Sequence, residues 1–395
     1  MTFKKITTLI LFILSKLVLL ILLTGCDEDI SYESIIDEIR IQHVPDAREG
    51  VFNVEARLTG RGNILLTGKV DNELVKYHLK DSLKRTGFNV TDSIRVLPFN
   101  VSWPWALVNL SVANIRASPS HRSELVNQAL MGTPLRVLKE EGSWFYIQTP
   151  DRYLGWIDKQ AVSGKSEVAM EKWRASEKIM FSSTFGNIIE PDKKTVLSDI
   201  VYGSVVNKVS ANGEIIIVEL PDGRQGWLNE TDIALFEKWK QNAIPEPELI
   251  RASAMTMKGY PYLWGGTSVK GIDCSGFTRI VFFVNGLVIS RDASLQARYG
   301  KIIPMNEGWR VFEPGDLLFF RGDPDGPDNS PIIHVGIYIG DSEYIHAAGR
   351  VRINSLDSTR DGFNEYRALT LQSVRRITPE SYGAGLVPVK KHQWY

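Results

Sequence analysis

A thiol, an imidazole that takes its proton and a third group that holds that imidazole make up a nucleophilic hydrolase site. Three residues of this chain have the types and the spacing for it. Cys274 stands in Asp273-Cys274-Ser275-Gly276, after a glycine-rich turn and before an apolar run that extends to Val284. That pattern predicts a helix with the cysteine at its entrance. There the unpaired N–H groups and the positive dipole end would favour a thiolate. Taken alone, a buried structural cysteine is the better reading of the residue, since free cysteines are among the most buried residue types. The partners lie in Pro331–Gly349, which reads as two strands around Gly340-Asp341-Ser342-Glu343. Ile333, Val335, Ile337 and Ile339 alternate onto one apolar face, leaving His334, Gly336 and Tyr338 on the other. In the second strand Ile345 joins the apolar face and puts Tyr344 and His346 opposite. The two histidines therefore share a face, at a diagonal separation of roughly 7–8 Å, and that face is expected to be polar and accessible. His334 would take the thiol proton and His346 would hold its ring. A cysteine and two histidines could also bind zinc, but no CxxC or HxxxH pair accompanies them.

The elements that must position these groups follow from the surrounding pattern. Leu249–Lys258 reads as a helix after the linker Glu246-Pro247-Glu248, Arg291-Asp292-Ala293-Ser294 as a polar turn into a short helix, and Leu317–Phe320 as a short buried strand after Pro314-Gly315-Asp316. Further upstream, an internal repeat runs from about 101 to 240. Gly132, Leu135, Leu138, Gly142, Pro150, Asp151, Gly155 and Trp156 recur at an offset of 71 as Gly203, Val206, Val209, Gly213, Pro221, Asp222, Gly226 and Trp227. Short strands between turn residues predict two small β-barrels, over 101–164 and 165–242. Residues 27–100 alternate in the βα manner, with strands Val51–Leu58, Asn63–Val70 and Phe88–Leu97 and a helix over Asp71–Arg85. They form a small α/β packing or docking module.

At the N-terminus, Lys4 and Lys5 precede an apolar segment interrupted by Lys16 and ending in Leu23-Thr24-Gly25-Cys26. A spanning helix would want about 20 apolar residues. The pattern instead reads as a signal segment over 1–26, with Cys26 the residue that would be acylated. With Cys26 so used, no internal disulfide is possible, because the chain has only two cysteines. The 46 basic and 46 acidic residues balance, which argues against a nucleic-acid footprint. At 395 residues, the chain needs several cores.

Several phrases together resemble known families. Leu-Thr-Gly-Cys resembles a bacterial lipobox, which implies a lipid-anchored, extracytoplasmic protein. The LLTGKV phrase resembles a BON-type module, and Asn114-Ile115-Arg116-Ala117 with Gly155-Trp156-Ile157 resembles bacterial SH3 domains. Tyr262-Leu263-Trp264-Gly265-Gly266, Asp273-Cys274-Ser275-Gly276-Phe277, His334-Val335-Gly336-Ile337-Tyr338 and Tyr344-Ile345-His346 resemble the NlpC/p60 cell-wall peptidases, over about Leu249–Ile377. The resemblance implies a multidomain α+β protein whose papain-like catalytic domain, 243–385, follows the two barrels. It also implies Cys274 as nucleophile, His334 as base, His346 as third member, and no metal or other cofactor. The Cys274 amide would help hold the oxyanion, and Tyr262 and Ser275 would lie beside the substrate. The implied substrates are peptidoglycan stem peptides, cut between γ-D-glutamate and diaminopimelate. The paired SH3-like modules point to the subgroup that trims free peptides, the dipeptidyl-peptidase VI-like enzymes. In that subgroup Asp292 would anchor the substrate's free amine and Ser294 would take over a bond that Ala293 cannot make. Glu124 and Tyr153 would wall the far end. A capping role for Asp292 is the simpler alternative. At the level of function, a wall-binding protein with a relic hydrolase domain, and an amidase or acyltransferase of the same superfamily, stand beside the peptidase reading.

Overall fold

The structure, a computed structural model, describes residues 31–191, 195–327 and 329–395; Cys26 and the apolar segment before it lie outside the described residues. The chain forms two compact units. Of the described residues, one unit contains those up to Ala47 together with Val51–Val96, and the other contains Arg48–Gly50 together with those from Leu97 to Tyr395.

In the first unit, strands Phe52–Gly60 and Asn63–Val70 pair as a hairpin, and helix Glu73–Arg85 crosses over to strand Asn89–Val96, which pairs parallel to the second. The helix starts where Asn72 accepts the Leu74 N–H at 2.8 Å. Its Val75, Leu79 and Leu83, one turn apart, bury against Ile64 and Leu66. A further helix, Tyr32–His43, capped by Ser31, packs Ile35 and Ile39 into the same core and was not expected from the sequence.

The second unit holds the duplication. Each copy contributes a sheet of seven strands, and with strands counted along the chain both sheets have the order 7-1-4-5-6-2-3. Equivalent strands keep the offset of 71 residues: Pro134–Glu141 with Val205–Asn212, Trp144–Gln148 with Ile215–Glu219, Leu154–Asp158 with Gln225–Asn229. Their cores correspond too. Leu135, Phe145, Ile147 and Ile157 in one sheet occupy the places of Val206, Ile216, Val218 and Leu228 in the other.

Beyond helix Pro247–Thr256 lie helix Cys274–Val284 and a six-stranded sheet. The sheet runs Lys301–Ile302, Leu371–Arg376, Leu317–Arg321, Ile332–Gly340, Glu343–Ala348, Arg350–Ser355, and every neighbouring pair in it is antiparallel. Phe277, Ile280 and Val281 of the helix share a core with Val335, Ile337, Ile345 and Ala347 of the sheet. Burying a Phe or an Ile in such a core is worth about 1.5–3 kcal/mol, so this contact fixes the helix entrance against the strand that carries His334. The opposite sheet face is not the accessible polar surface that alternation suggested. Leu318, Phe320, Tyr338 and Tyr344 form a second core there, because Ile303, Trp309, Val311 and Phe312 pack over it. Ile333, in phase with the apolar face, is 55% exposed at the start of its strand.

Candidate active site

Cys274 is the first residue of its helix, whose cap is Asp273. The Asp273 carboxylate accepts the Gly276 N–H at 2.6 Å and the Gly265 N–H at 2.9 Å, tying the helix entrance to the glycine turn before it. A Cβ on Gly276 would run into the Gly266 carbonyl, so the loop and the first helical turn can meet this closely only with glycine at 276. Arg291, fully buried, closes the arrangement. Its guanidinium donates to Asp273 at 2.6 and 3.2 Å and to the Ser275 hydroxyl at 2.7 Å. Nothing in the local sequence around Arg291 announced this pair, since the partner lies 18 residues away. As the first helical residue, Cys274 has an amide without an intrahelical acceptor.

On the sheet, Ile337 pairs with Ile345 and Tyr338 with Tyr344, which sets His346 across from Gly336 and diagonal to His334. His334 Nε2 and His346 Nδ1 are 2.7 Å apart. The bare Gly336 makes this possible: a Cβ there would meet Tyr344 Cδ2 at 3.1 Å and His346 Cβ at 3.2 Å. The relay continues to a residue not anticipated from the sequence. His346 Nε2 lies 2.9 Å from Asn354 Oδ1, and Asn354 Nδ2 donates to the Gly362 carbonyl at 2.8 Å. That second bond orients the amide, so Oδ1 faces the imidazole and accepts from Nε2–H. His346 Nδ1 is then an acceptor, His334 Nε2 carries the proton, and His334 Nδ1 is left unprotonated.

Both histidines are buried, at 5% and 0% exposure. Burial pushes His334 well below its ordinary value, with the Arg367 guanidinium and His346 adding to the effect. Burial likewise brings His346 down to about 4, against the hydrogen bond of Asn354. The thiol moves the other way. Burial and then the Asp273 carboxylate raise Cys274 to about 11, only partly offset by the amides of Val335 and Ser275 and by Arg291. The expectation of a thiolate at the helix entrance is therefore corrected. The dipole is present, but removal from water and a neighbouring carboxylate outweigh it. These shifts favour a neutral thiol and neutral imidazoles at rest.

A cavity of about 610 Å³ opens over Cys274 and His334. Tyr262 and Ser275 line it beside the thiol; burial and then the nearby cysteine raise the Tyr262 phenol to about 12. Glu124 and Tyr153, each just before a strand of the first seven-stranded sheet, also line the cavity, as do Asp292 and Ser294. Glu124 accepts the Trp264 indole N–H at 2.8 Å. Asp292 precedes helix Ala293–Gln296 but makes no capping bond, so the simpler reading of this residue does not hold. It is paired instead. Arg48 donates to its carboxylate at 2.7 Å and to the Ser294 hydroxyl at 3.1 Å. Arg48 was not found from the sequence, since it lies 244 residues from Asp292. Its backbone is held in place: the Arg48 carbonyl accepts the Leu154 N–H at 2.8 Å and the Glu49 carbonyl accepts Gln148 Nε2 at 2.9 Å. Among the described residues no group of three or more His, Cys, Asp or Glu side chains is arranged to hold a metal ion, and no helix is long and apolar enough to cross a membrane.

Comparison with known proteins agrees with this geometry. Residues 259–368 match the NlpC/P60 family and residues 111–163 match the bacterial SH3 domain. The chain is similar to dipeptidyl-peptidase 6 of Lysinibacillus sphaericus, 29% identical over 68% of this chain and 98% of that protein. It is also similar to a gamma-D-glutamyl-L-lysine dipeptidyl-peptidase of Bacillus cereus, 30% identical over 58% of this chain and 68% of that one. Among solved structures, an NlpC/P60 family protein from Bacillus cereus shares the fold with a TM-score of 0.60, at 23% identity, over 69% of this chain and 99% of the other. A thiol at a capped helix entrance, an imidazole relay on the facing sheet and these relatives lead to one assignment: the chain belongs to the NlpC/P60 family and is a cysteine peptidase.

Proposed function

We propose that the protein hydrolyses the amide between γ-D-glutamate and the following diamino acid in peptidoglycan stem peptides with a free N-terminal L-alanine. One observation carries the reading: a single cavity is lined by Cys274 and His334 together with the Asp292 carboxylate, Tyr153 and Glu124. A carboxylate in the same cavity as the thiol suits a released peptide with a free amine, whereas intact, sugar-linked wall offers no such charge. Relatives 30% identical, named gamma-D-glutamyl-L-lysine dipeptidyl-peptidases, support the bond.

Cys274 Sγ attacks the γ-carbonyl carbon while His334 Nδ1 takes its proton. The Cys274 amide donates to the developing oxyanion. On collapse, the C–N bond breaks and His334 returns the proton to the leaving amine. Water, deprotonated by His334, then cleaves the thioester and releases L-Ala-γ-D-Glu. His346 and Asn354 hold His334 in the required tautomer throughout. The substrate ammonium competes with Arg48 for Asp292. Mass analysis of defined tripeptides tests this: wild type should release the dipeptide and the free diamino acid, and Cys274→Ala should release neither. Turnover by Cys274→Ala at the wild-type rate would remove the nucleophile assignment.

The second seven-stranded sheet, with the same strand order as the first, is proposed to be a second SH3 module. Cys26, at the end of Leu23-Thr24-Gly25-Cys26, is proposed to carry the lipid that holds the protein at the outer side of a bacterial membrane. Cys26→Ser should then leave the membrane fraction or accumulate as precursor. A processed, still membrane-bound Cys26→Ser protein would contradict the anchor.

A further inference from the structure

Most charges that line the cavity are already matched within it. Asp292 is paired with Arg48, and Asp273 with Arg291. Arg367 is different. Its guanidinium lines the cavity with Cys274 and His334, yet it makes no hydrogen bond or ion pair with any described residue, and its Nη1 is buried without a partner. Arg116, Arg174, Arg352 and Arg375 also have an unpartnered buried nitrogen, but in each it is Nε, and none of them lines this cavity. The Arg367 side chain is held in place from two sides. It lies over the rings of Phe320 and Tyr366, at 5.5 and 5.1 Å from their centroids. Its backbone N–H is fixed by Asn364 at 3.0 Å. Phe320 in turn packs on His334, with ring centroids 5.7 Å apart, so the guanidinium is placed at the reacting end of the cavity.

A partly buried guanidinium that is stacked, fixed and short of an acceptor is built for a planar anion with two oxygens. We propose that Arg367 forms a carboxylate subsite that holds one of the substrate carboxylates flanking the scissile amide. This deepens the functional reading above and rests on it. In that substrate the shared chemistry has two sources: the α-carboxylate of D-glutamate on the acyl side, and the carboxylates of the diamino acid on the leaving side. A bound carboxylate would also offset the positive field that Arg367 exerts on His334, favouring the base at the moment it is needed.

The test uses the full chain and L-Ala-γ-D-Glu-L-Lys in three forms: the free acid, the peptide amidated at the D-glutamate α-carboxyl, and the peptide amidated at the lysine carboxyl. Wild type should lose roughly ten- to hundredfold in kcat/KM on one of the amides, which identifies the source. Arg367→Met should lower the free acid to that level and leave that amide unchanged. Arg367→Lys, which keeps the charge without the fork, should fall between. Equal wild-type rates on all three peptides would overturn the subsite without recourse to any variant. So would an Arg367→Met loss of the same size on acid and amides. Wild type that cuts none of them would overturn the functional reading, and the subsite with it.

Discussion

At the scale of single residues, the resting state of the thiol carries the sharpest consequence. With Cys274 raised to about 11 by burial and by Asp273, and His334 held below its ordinary value by burial and Arg367, both shifts oppose a stored thiolate–imidazolium pair in the free enzyme. Alkylation of the free enzyme by iodoacetamide should therefore climb with pH through 8 to 10 and be slow at pH 6. A rate already on its plateau at pH 6 would show a preformed ion pair. The window follows from the signs: below the depressed value of His334 the base is lost, above that of Cys274 the thiol is lost, and both neutral forms coexist between. Proton transfer then accompanies attack on the substrate. Cys274, His334 and His346 were legible in the sequence, because residue type and period-2 spacing are local properties. The state of the thiol was not legible, because burial and the Asp273 carboxylate oppose the dipole that the local pattern advertised.

At the scale of elements, the relay depends on one strand pairing. Gly336 lies across from His346, and a Cβ there would already press on Tyr344 and His346 at 3.1 and 3.2 Å. The branched side chain of Gly336→Val reaches further and must push the His346 ring away from His334. Displacing a catalytic group by about 1 Å costs on the order of hundredfold. That loss is expected in kcat, with KM and the near-UV circular dichroism little changed. A Gly336→Val enzyme with wild-type kcat would show that the 2.7 Å contact between the imidazoles is dispensable. The shared face of the two histidines could be deduced from alternation alone. Asn354 could not: it reaches His346 only because Glu343–Ala348 also pairs with Arg350–Ser355, a register that no pattern in those residues specifies. The accessibility of that face was misjudged for a similar reason, since the segments that cover it lie elsewhere in the chain.

At the scale of the whole molecule, the duplication was visible as a constant offset, and the two sheets reproduce it strand for strand. The chain's most distant contribution to the site was not visible. Arg48 occupies the carboxylate proposed for the substrate ammonium, so the enzyme carries its own competitor there. Arg48→Ala should lower KM for free-amine peptides by roughly tenfold, as expected when a rival charged hydrogen bond worth about 1.5–3 kcal/mol is partly screened at an exposed site. N-acetylated peptides should respond little. A higher KM for the free-amine peptide in Arg48→Ala would show that Arg48 supports substrate binding instead of opposing it.

Arg291 and Asp292 are neighbours in the chain, yet their ion pairs close loops of very different size: 18 residues to Asp273 and 244 residues to Arg48. Loop-closure entropy grows by about 0.6 kcal/mol per doubling of length, so the longer loop costs about 2 kcal/mol more to close. The Asp273–Arg291 pair is thus assembled from neighbouring chain, whereas the carboxylate proposed to meet the substrate amine is paired with a distant segment. The two ion pairs therefore anchor the site at unequal cost to the chain.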